Sequence, residues 1–149
     1  MRRVKDSPLW VGNAADCRDP KAVFDAGVSA VVDLTAMNEP VPLPRELISL
    51  RFPLIDGADN PPWLVCAAVT AVAGLVRLGV PTLLACDGGM SRSLAVAAAA
   101  MWFQMPLKTA LDEVLTKVAA DGPADVHPRL WADVKRFVFV CDDACYRAV

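Results

Sequence analysis

The residues best able to do chemistry lie in one stretch, where Cys86 and Arg92 are separated by five residues. An apolar run, Leu83-Leu84-Ala85, predicts a buried strand that ends at Cys86, and the alanine-rich segment after Arg92 predicts a long helix. A short loop with two adjacent glycines joins them. This order brings unpaired backbone N–H groups and the positive end of a helix dipole to one point, which is how proteins often bind anions. The pattern therefore predicts a loop that wraps around a tetrahedral anion.

Cys86 and Arg92 would have complementary parts in such a loop. The sulfur would lie beneath the anion, and the guanidinium would form paired hydrogen bonds to its oxygens. The same positive field favours the thiolate, which is the reactive form of cysteine. An arginine in the first turn of a helix opposes the helix dipole unless an anion compensates it. We therefore interpret the loop as a phosphate-binding site.

The stretch resembles the signature loop of the cysteine-dependent protein phosphatases, Cys-x5-Arg-Ser/Thr, and within them the dual-specificity branch, Cys-x-x-Gly-x-x-Arg-Ser. The matching positions are Cys86, Gly89, Arg92 and Ser93. The resemblance implies that Cys86 is the nucleophile that forms a cysteinyl-phosphate, that Arg92 binds the phosphate, and that Ser93 stabilises the leaving thiolate. It also implies that Arg92 is joined in phosphate binding by the loop residues Asp87, Gly88, Gly89, Met90 and Ser91.

A second segment resembles the acid loop of the same family. Pro53-Leu54-Ile55-Asp56 fits that pattern, and the resemblance implies that Asp56 is the general acid. Asp59 is the alternative acid. The following Asn60-Pro61 reads as a helix N-cap and first turn, so we expect Asp59 to serve the start of that helix.

The remaining elements follow from hydrophobic periodicity and from proline and glycine positions. We predict strands over residues 9–13, 28–34 and 47–54, the first of them at the sheet edge, and helices over residues 19–26, 62–78, 107–118 and 128–140. Asn38 to Pro44 contains three prolines and is predicted to be a loop near the site. The predicted fold is α/β, a central mostly parallel sheet flanked by helices, as in the cysteine phosphatases. We expect residues 1–149 to form a single domain.

The charge and composition of the chain indicate which classes of binding partner to expect. The formal net charge is −2 and no basic tract is present, so we expect neither nucleic acid nor an anionic membrane as a partner. Two uncharged runs, 61–76 and 94–107, are shorter than the roughly 20 residues that a membrane span needs. No signal peptide pattern is visible. We expect a cytoplasmic monomer that needs no cofactor and no metal.

The cysteines are predicted to be reduced thiols. There are five of them, an odd number without a Cys-x-x-Cys pair, and the chain has a single histidine, so no zinc site of ordinary spacing is present. Cys141 and Cys145 are predicted to pack in the last helix or its continuation. Cys66 is interpreted as a buried helical thiol, with a redox role toward Cys86 as the alternative.

Other conspicuous residues receive structural interpretations. His127 is predicted to cap a helix or lie at the surface. Asp87 is predicted to lie at the rim of the site, where its charge would oppose polyanionic substrates such as inositol lipids. The tryptophans expected to pack helices onto the sheet are Trp63, Trp102 and Trp131.

Three functions follow from these patterns. The resemblance implies a dual-specificity-type phosphatase that hydrolyses phosphomonoesters, with a phosphoprotein (Tyr, Ser or Thr) as the expected substrate. Ala85 occupies the position where the family usually has a histidine, and this favours the alternative of a phosphate-binding pseudophosphatase with little turnover. A rhodanese-like sulfurtransferase ranks last, because its loop is ordinarily one residue shorter and it has no use for Asp56. The substrate itself, whether protein, lipid or nucleotide, is left open by the sequence.

Overall fold

The structure is a computed structural model that describes residues 1–106 and 109–141. In these ranges the chain forms a five-stranded sheet in the order β1-β2-β5-β3-β4. The strands are β1 (Arg2–Arg3), β2 (Leu9–Asn13), β3 (Ala30–Thr35), β4 (Ile48–Leu54) and β5 (Thr82–Cys86). β1 runs antiparallel to β2, and the other neighbouring strands are parallel. The predicted α/β fold with a mostly parallel sheet is confirmed.

Helices lie on both faces of this sheet. They are α1 (Pro20–Asp25), α2 (Pro62–Arg77), α3 (Arg92–Trp102), α4 (Leu111–Ala119) and α5 (Pro128–Cys141), with a 3-10 turn at Asp16–Arg18. Successive residues of β3 face opposite sides, so Val32 packs in the large core with α2 to α5. Val31 packs in a smaller core with Cys17 of the 3-10 turn and Val23 of α1. No helix within the described ranges is long and apolar enough to cross a membrane.

The helix that follows β5 is buried on every side. All ten residues from Arg92 to Met101 are buried, and the helix contacts α2, α4 and α5 as well as strands β2 and β5. Small alanine side chains permit this close approach of neighbouring elements, because they occupy little volume at the contacts. The N-terminus of α3, where the predicted phosphate loop ends, is therefore fixed in the core.

The start and end of α1 follow the predicted signals. The Asp19 side chain accepts a hydrogen bond of 3.0 Å from the backbone N–H of Ala22, and Pro20 is the first helical residue. Gly27 follows the helix with φ 72°, a left-handed conformation that glycine adopts without strain.

Several expectations about the fold need correction. The two-residue strand β1 pairs with β2, so β2 is not the edge strand. α4 begins at Leu111, after Ala110 as its N-cap, while the predicted start at Leu107 lies outside the described residues. The side chains of Cys141 and Cys145 also lie outside them.

The tryptophans do not all pack as predicted. Trp131 is buried against the large core, and Trp102 packs partly against it. Trp63 is 69% exposed, so its predicted packing role is wrong. It lies in the first turn of α2, on the side of the helix away from the buried residues Leu64, Val65 and Ala68.

Candidate active site

The predicted site lies at the carboxyl edge of the sheet. Cys86 is the last residue of β5, which lies between the parallel strands β2 and β3. The carboxyl ends of parallel strands meet at one edge, so the loops that follow them converge there. The loop after Cys86 is contacted by Ala14 after β2, by Asn38 after β3 and by Asp56 after β4. The structure thus brings the predicted cysteine loop and acid loop together.

Cys86 is a free cysteine, 2% exposed, whose sulfur faces hydrogen-bond donors. The backbone N–H of Gly89 donates to Sγ over 3.2 Å. The Oγ of Ser93, in the first turn of α3, lies 3.4 Å from the same sulfur. The sulfur therefore lies beside the backbone of the loop and the first turn of α3.

The path of the loop depends on Gly89. Its φ is 71°, and a Cβ placed there would lie 2.8 Å from the backbone carbon and oxygen of Gly12. Only glycine combines this conformation with so close an approach to β2. Gly88 differs, since a Cβ there would meet only the flexible end of Met90 at 3.4 Å.

Arg92 is 5% exposed and is anchored by backbone carbonyls. Its Nη1 donates to the oxygens of Leu34 at 3.3 Å and Leu54 at 3.0 Å, at the ends of β3 and β4. Its Nη2 donates to Asp87. Its Nε is buried and has no hydrogen-bond partner among the described residues.

The unpartnered Nε indicates where an anion would bind. The Nε and Nη2 hydrogens share one edge of the guanidinium, and this edge can form two parallel hydrogen bonds to one phosphate. A buried donor without a partner is costly, and an anion at this edge would remove that cost. The unpartnered Nε of Arg92 is therefore the donor on this guanidinium that could receive an anion.

Asp56 contacts the loop through Ser91. The Ser91 hydroxyl donates to Asp56 Oδ1 over 2.5 Å and accepts a 3.0 Å hydrogen bond from the backbone N–H of His127. Of the two candidate acids, Asp56 is the one that makes this hydrogen bond to the loop. Asp59 is exposed and has a left-handed φ of 72°.

Asn60 has a different role from the one predicted. Helix α2 begins at Pro62 with Pro61 as its N-cap, because a residue before proline is disfavoured in the helical conformation. The Asn60 side chain is instead 4% exposed and closes the acid loop. Its Oδ1 accepts from the N–H of Ile55 at 2.7 Å, and its Nδ2 donates to the carbonyls of Ile55 at 3.0 Å and Gly57 at 3.3 Å. Asn60 therefore fixes the backbone on both sides of Asp56.

His127 caps α5, which is one of the two roles predicted for it. Its Nδ1 accepts from the N–H of Arg129 at 3.2 Å, and its carbonyl accepts from Trp131. The segment before α5 also supports the loop, since the N–H of Asp125 donates to the Met90 carbonyl over 2.9 Å. The sequence did not predict that this segment contacts the loop.

The other cysteines differ from Cys86. Cys17 is a free thiol, 1% exposed, and donates to the Ala14 carbonyl over 3.3 Å. Burial raises the pKa of the Cys17 thiol above its ordinary 9.0, and the negative charge of Asp33 raises it further. Cys66 is disulfide-bonded, so the prediction that all cysteines are reduced is wrong for this residue.

The arrangement brings together the Cys86 sulfur with one N–H donating to it, the buried Arg92 and the Asp56 carboxylate at one edge of the sheet. Within the part of the chain that the structure describes, no group of three histidine, cysteine or acidic side chains could hold a metal ion.

Comparison with known proteins bears on this geometry. By sequence, the chain matches no protein-family model and no curated protein. By structure, it is similar to human DUSP28, with a TM-score of 0.78 and 23% identity over 96% of this chain and 99% of that one. It is also similar to DUSP15, with a TM-score of 0.78 and 20% identity over 93% of this chain and 87% of that one. A mouse putative dual-specificity phosphatase complexed with zinc tungstate has a TM-score of 0.74 and 25% identity over 95% and 87% of the two chains. The predicted resemblance to dual-specificity phosphatases is confirmed at the level of the fold.

Proposed function

We propose that this chain, which has the dual-specificity phosphatase fold, hydrolyses phosphomonoesters through a cysteinyl-phosphate on Cys86. The observation on which the proposal rests is the position of the Cys86 sulfur, at the base of a loop that also holds the unpartnered Nε of Arg92. The structural neighbour complexed with zinc tungstate gives further support, because tungstate is a tetrahedral oxyanion like phosphate. Phosphorylated tyrosine, serine or threonine in proteins is the proposed substrate class.

The first step transfers the phosphoryl group to sulfur. The Cys86 thiolate attacks phosphorus, so that an S–P bond forms as the P–O bond to the leaving group breaks. Arg92 and the N–H groups of the loop stabilise the charge on the three equatorial oxygens. Asp56 gives its proton to the leaving oxygen, because an alkoxide is a poor leaving group.

The contact with Ser91 suits Asp56 to this task. The Ser91 hydroxyl occupies Asp56 Oδ1, which leaves Oδ2 available for proton transfer. Asn60 fixes the backbone on either side of Asp56, so the carboxyl group is held at the edge of the loop. A positioned acid needs less reorganisation at the moment of transfer.

The second step regenerates the enzyme. Asp56, now a carboxylate, accepts a proton from a water molecule whose oxygen attacks phosphorus. The S–P bond breaks, and its electron pair returns to Cys86 as a thiolate. The N–H of Gly89 and the hydroxyl of Ser93 stabilise this leaving sulfur. Inorganic phosphate then departs.

A pseudophosphatase is the second candidate, and Ala85 is the observation that favours it. Ala85 is buried in the small core with Val31 and Leu83, and its methyl side chain offers no hydrogen bond to the loop. Without that support the cysteine would bind phosphate but turn over slowly. A rhodanese-like sulfurtransferase fits less well, because sulfur transfer gives no role to the contact between Asp56 and Ser91.

The test measures hydrolysis and the covalent intermediate together. The protein is mixed with p-nitrophenyl phosphate and with a phosphotyrosine peptide, quenched in acid within milliseconds, and digested for mass spectrometry. Phosphate on Cys86 with steady release of product supports the proposal. Binding of phosphate without product supports the pseudophosphatase, and sulfur transfer from thiosulfate to cyanide supports the sulfurtransferase.

A second experiment assigns the acid. Asp56→Asn should slow hydrolysis of an alkyl phosphate or phosphoserine peptide by ~10²–10⁴-fold, the range typical of lost proton transfer. p-Nitrophenyl phosphate should be affected less in the first step, because its leaving group departs without a proton. Asp59→Asn is the matched control. If the loss that depends on the leaving group appears in Asp59→Asn instead, then Asp59 is the acid.

A further inference from the structure

One carboxylate lies against the arginine that the proposed phosphate needs. Arg92 Nη2 donates to Asp87 Oδ2, and Nη2 shares its edge of the guanidinium with the unpartnered Nε. The Arg92 side chain is 6% exposed, whereas the Asp87 side chain is 52% exposed. Asp87 therefore occupies half of the oxyanion-binding edge from the solvent side.

Asp87 is also held from a second direction. Asn38, in the loop after β3, donates from Nδ2 to Asp87 Oδ1 over 2.6 Å. The Asn38 carbonyl in turn accepts from Nη2 of Arg51. Arg51 lies 3.6 Å from the carboxylate of Asp33, which is buried in β3. The two oxygens of Asp87 are thus shared between Arg92 and a loop that is tied to the sheet.

A phosphate and this carboxylate cannot both use the edge fully. A phosphate that binds through Nε and Nη2 needs the Nη2 hydrogen that Asp87 accepts. Two anions beside one guanidinium also repel each other, and the repulsion is strong where solvent is partly excluded. Because Asp87 is half-exposed, its side chain can rotate toward Asn38 and water without unpacking the core.

We propose that Asp87 competes with the phosphate group for Arg92 and so sets the affinity of the site for oxyanions. This inference rests on the proposed function of the loop. Its consequence is weak binding of free phosphate, so that product leaves readily. Substrates must then gain affinity from the part of the molecule beyond the phosphate, and Asp87 acts as a specificity-determining residue.

The experiment measures the Kd for inorganic phosphate by titration calorimetry on the full chain. Asp87→Ala should bind phosphate about tenfold more tightly, because one charge-assisted hydrogen bond no longer has to be broken. Asn38→Ala removes the hydrogen bond from Asn38 to Asp87 and leaves the contact between Asp87 and Arg92 in place. The Kd for phosphate should therefore change less than in Asp87→Ala, by at most about threefold. Asp125→Ala is the control for net charge, because Asp125 is an exposed carboxylate whose backbone contacts the same loop at Met90.

The outcomes separate the inference from the proposed function. Unchanged or weaker phosphate binding in Asp87→Ala, with an unchanged melting temperature, would overturn the inference and make Asp87 a residue that orients Arg92. Equal tightening in Asp125→Ala would also overturn it, because loss of negative charge alone would then be sufficient. If phosphate binds to none of the folded proteins, the phosphate site itself fails, and the inference fails with it.

Discussion

Cys17 and Cys86 show how two cysteines with the same burial can differ chemically. Both are free thiols, and they are 1% and 2% exposed. Both lie close to the carboxyl ends of neighbouring strands, Cys17 in the 3-10 turn after β2 and Cys86 at the end of β5. Cys86 faces an N–H and a hydroxyl, whereas Cys17 faces a backbone carbonyl and the charge of Asp33.

The difference lies in the direction of the surrounding dipoles. Donors that point at sulfur stabilise the thiolate, and carbonyl oxygens that accept from sulfur stabilise the thiol. Removal from water penalises the charged form of a buried thiol, so burial alone cannot make a cysteine reactive. A left-handed glycine and a helix N-terminus supply the donors at Cys86.

The largest expected effect is on turnover. Cys86→Ser should lower the rate of phosphomonoester hydrolysis on the order of 10⁴-fold or more, as the loss of a nucleophile does in other enzymes. Cys17→Ser should change the rate by less than about twofold, because Cys17 contacts no reacting atom. Steady-state assays of both variants with p-nitrophenyl phosphate check this. Substantial turnover by Cys86→Ser would mean that the nucleophile lies elsewhere.

The next effect is on alkylation of the two thiols in the wild-type protein. At neutral pH, iodoacetate should modify Cys86 at least ~10²-fold faster than Cys17, because the thiolate is the reactive form and iodoacetate is itself an anion. Mass spectrometry of quenched time points gives both rates from one sample. Inorganic phosphate should protect Cys86 and leave Cys17 unaffected. Similar rates for the two residues would contradict the comparison.

A smaller effect is expected from the two glycines of the loop. Gly89→Ala should cost about 2 kcal/mol of stability, because it forces a left-handed backbone on alanine and a clash with Gly12. It should also slow alkylation of Cys86 by moving the N–H away from sulfur. Gly88→Ala is the matched control, with a cost of less than about 1 kcal/mol. Thermal unfolding and iodoacetate rates check both variants.

The smallest effect concerns alkaline stability. In the unfolded chain Cys17 loses its proton near the ordinary pKa of 9.0, while in the folded protein the raised pKa keeps the thiol protonated to higher pH. Its contribution to stability is therefore complete below pH 9 and is lost as pH rises above it. The loss is at most about 1.4 kcal/mol per pH unit for one proton. Cys17→Ala should reduce the fall in melting temperature between pH 8 and pH 10, and an identical fall in both proteins would contradict this.

Local patterns predicted much of the fold and of the loop. The continuous apolar run before Cys86 and the alanine-rich segment after Arg92 are strong local signals, so β5 and α3 were placed correctly. Asp19 and Gly27 act through their immediate neighbours, so both ends of α1 could be read directly.

Contacts between distant segments could not be predicted in the same way. The role of Asn60 depends on Pro61 and Pro62, because with these two prolines α2 begins only at Pro62. Asn60 is then not the N-cap, and its side-chain amide bonds to the backbone of the acid loop instead. The pairing of Asp87 with Arg92 depends on side-chain directions inside the loop, and sequence spacing does not specify them. The hydrogen bond from His127 to Ser91 joins residues 36 positions apart, so only the packing of α5 produces it.

The burial of ten consecutive residues in α3 limits where this molecule can change over evolutionary time. Ten consecutive positions have neighbours on every side, so a larger side chain at any of them must displace another element. Because α3 moves as a rigid helix, such a displacement would also move Arg92 at its N-terminus. Gradual adaptation to new substrates would then come from substitutions in the loops after β3 and β4, from which Asn38 and Asp56 contact the site. The position of Arg92 at the start of α3 would then stay the same, while the residues of the loops after β3 and β4 vary.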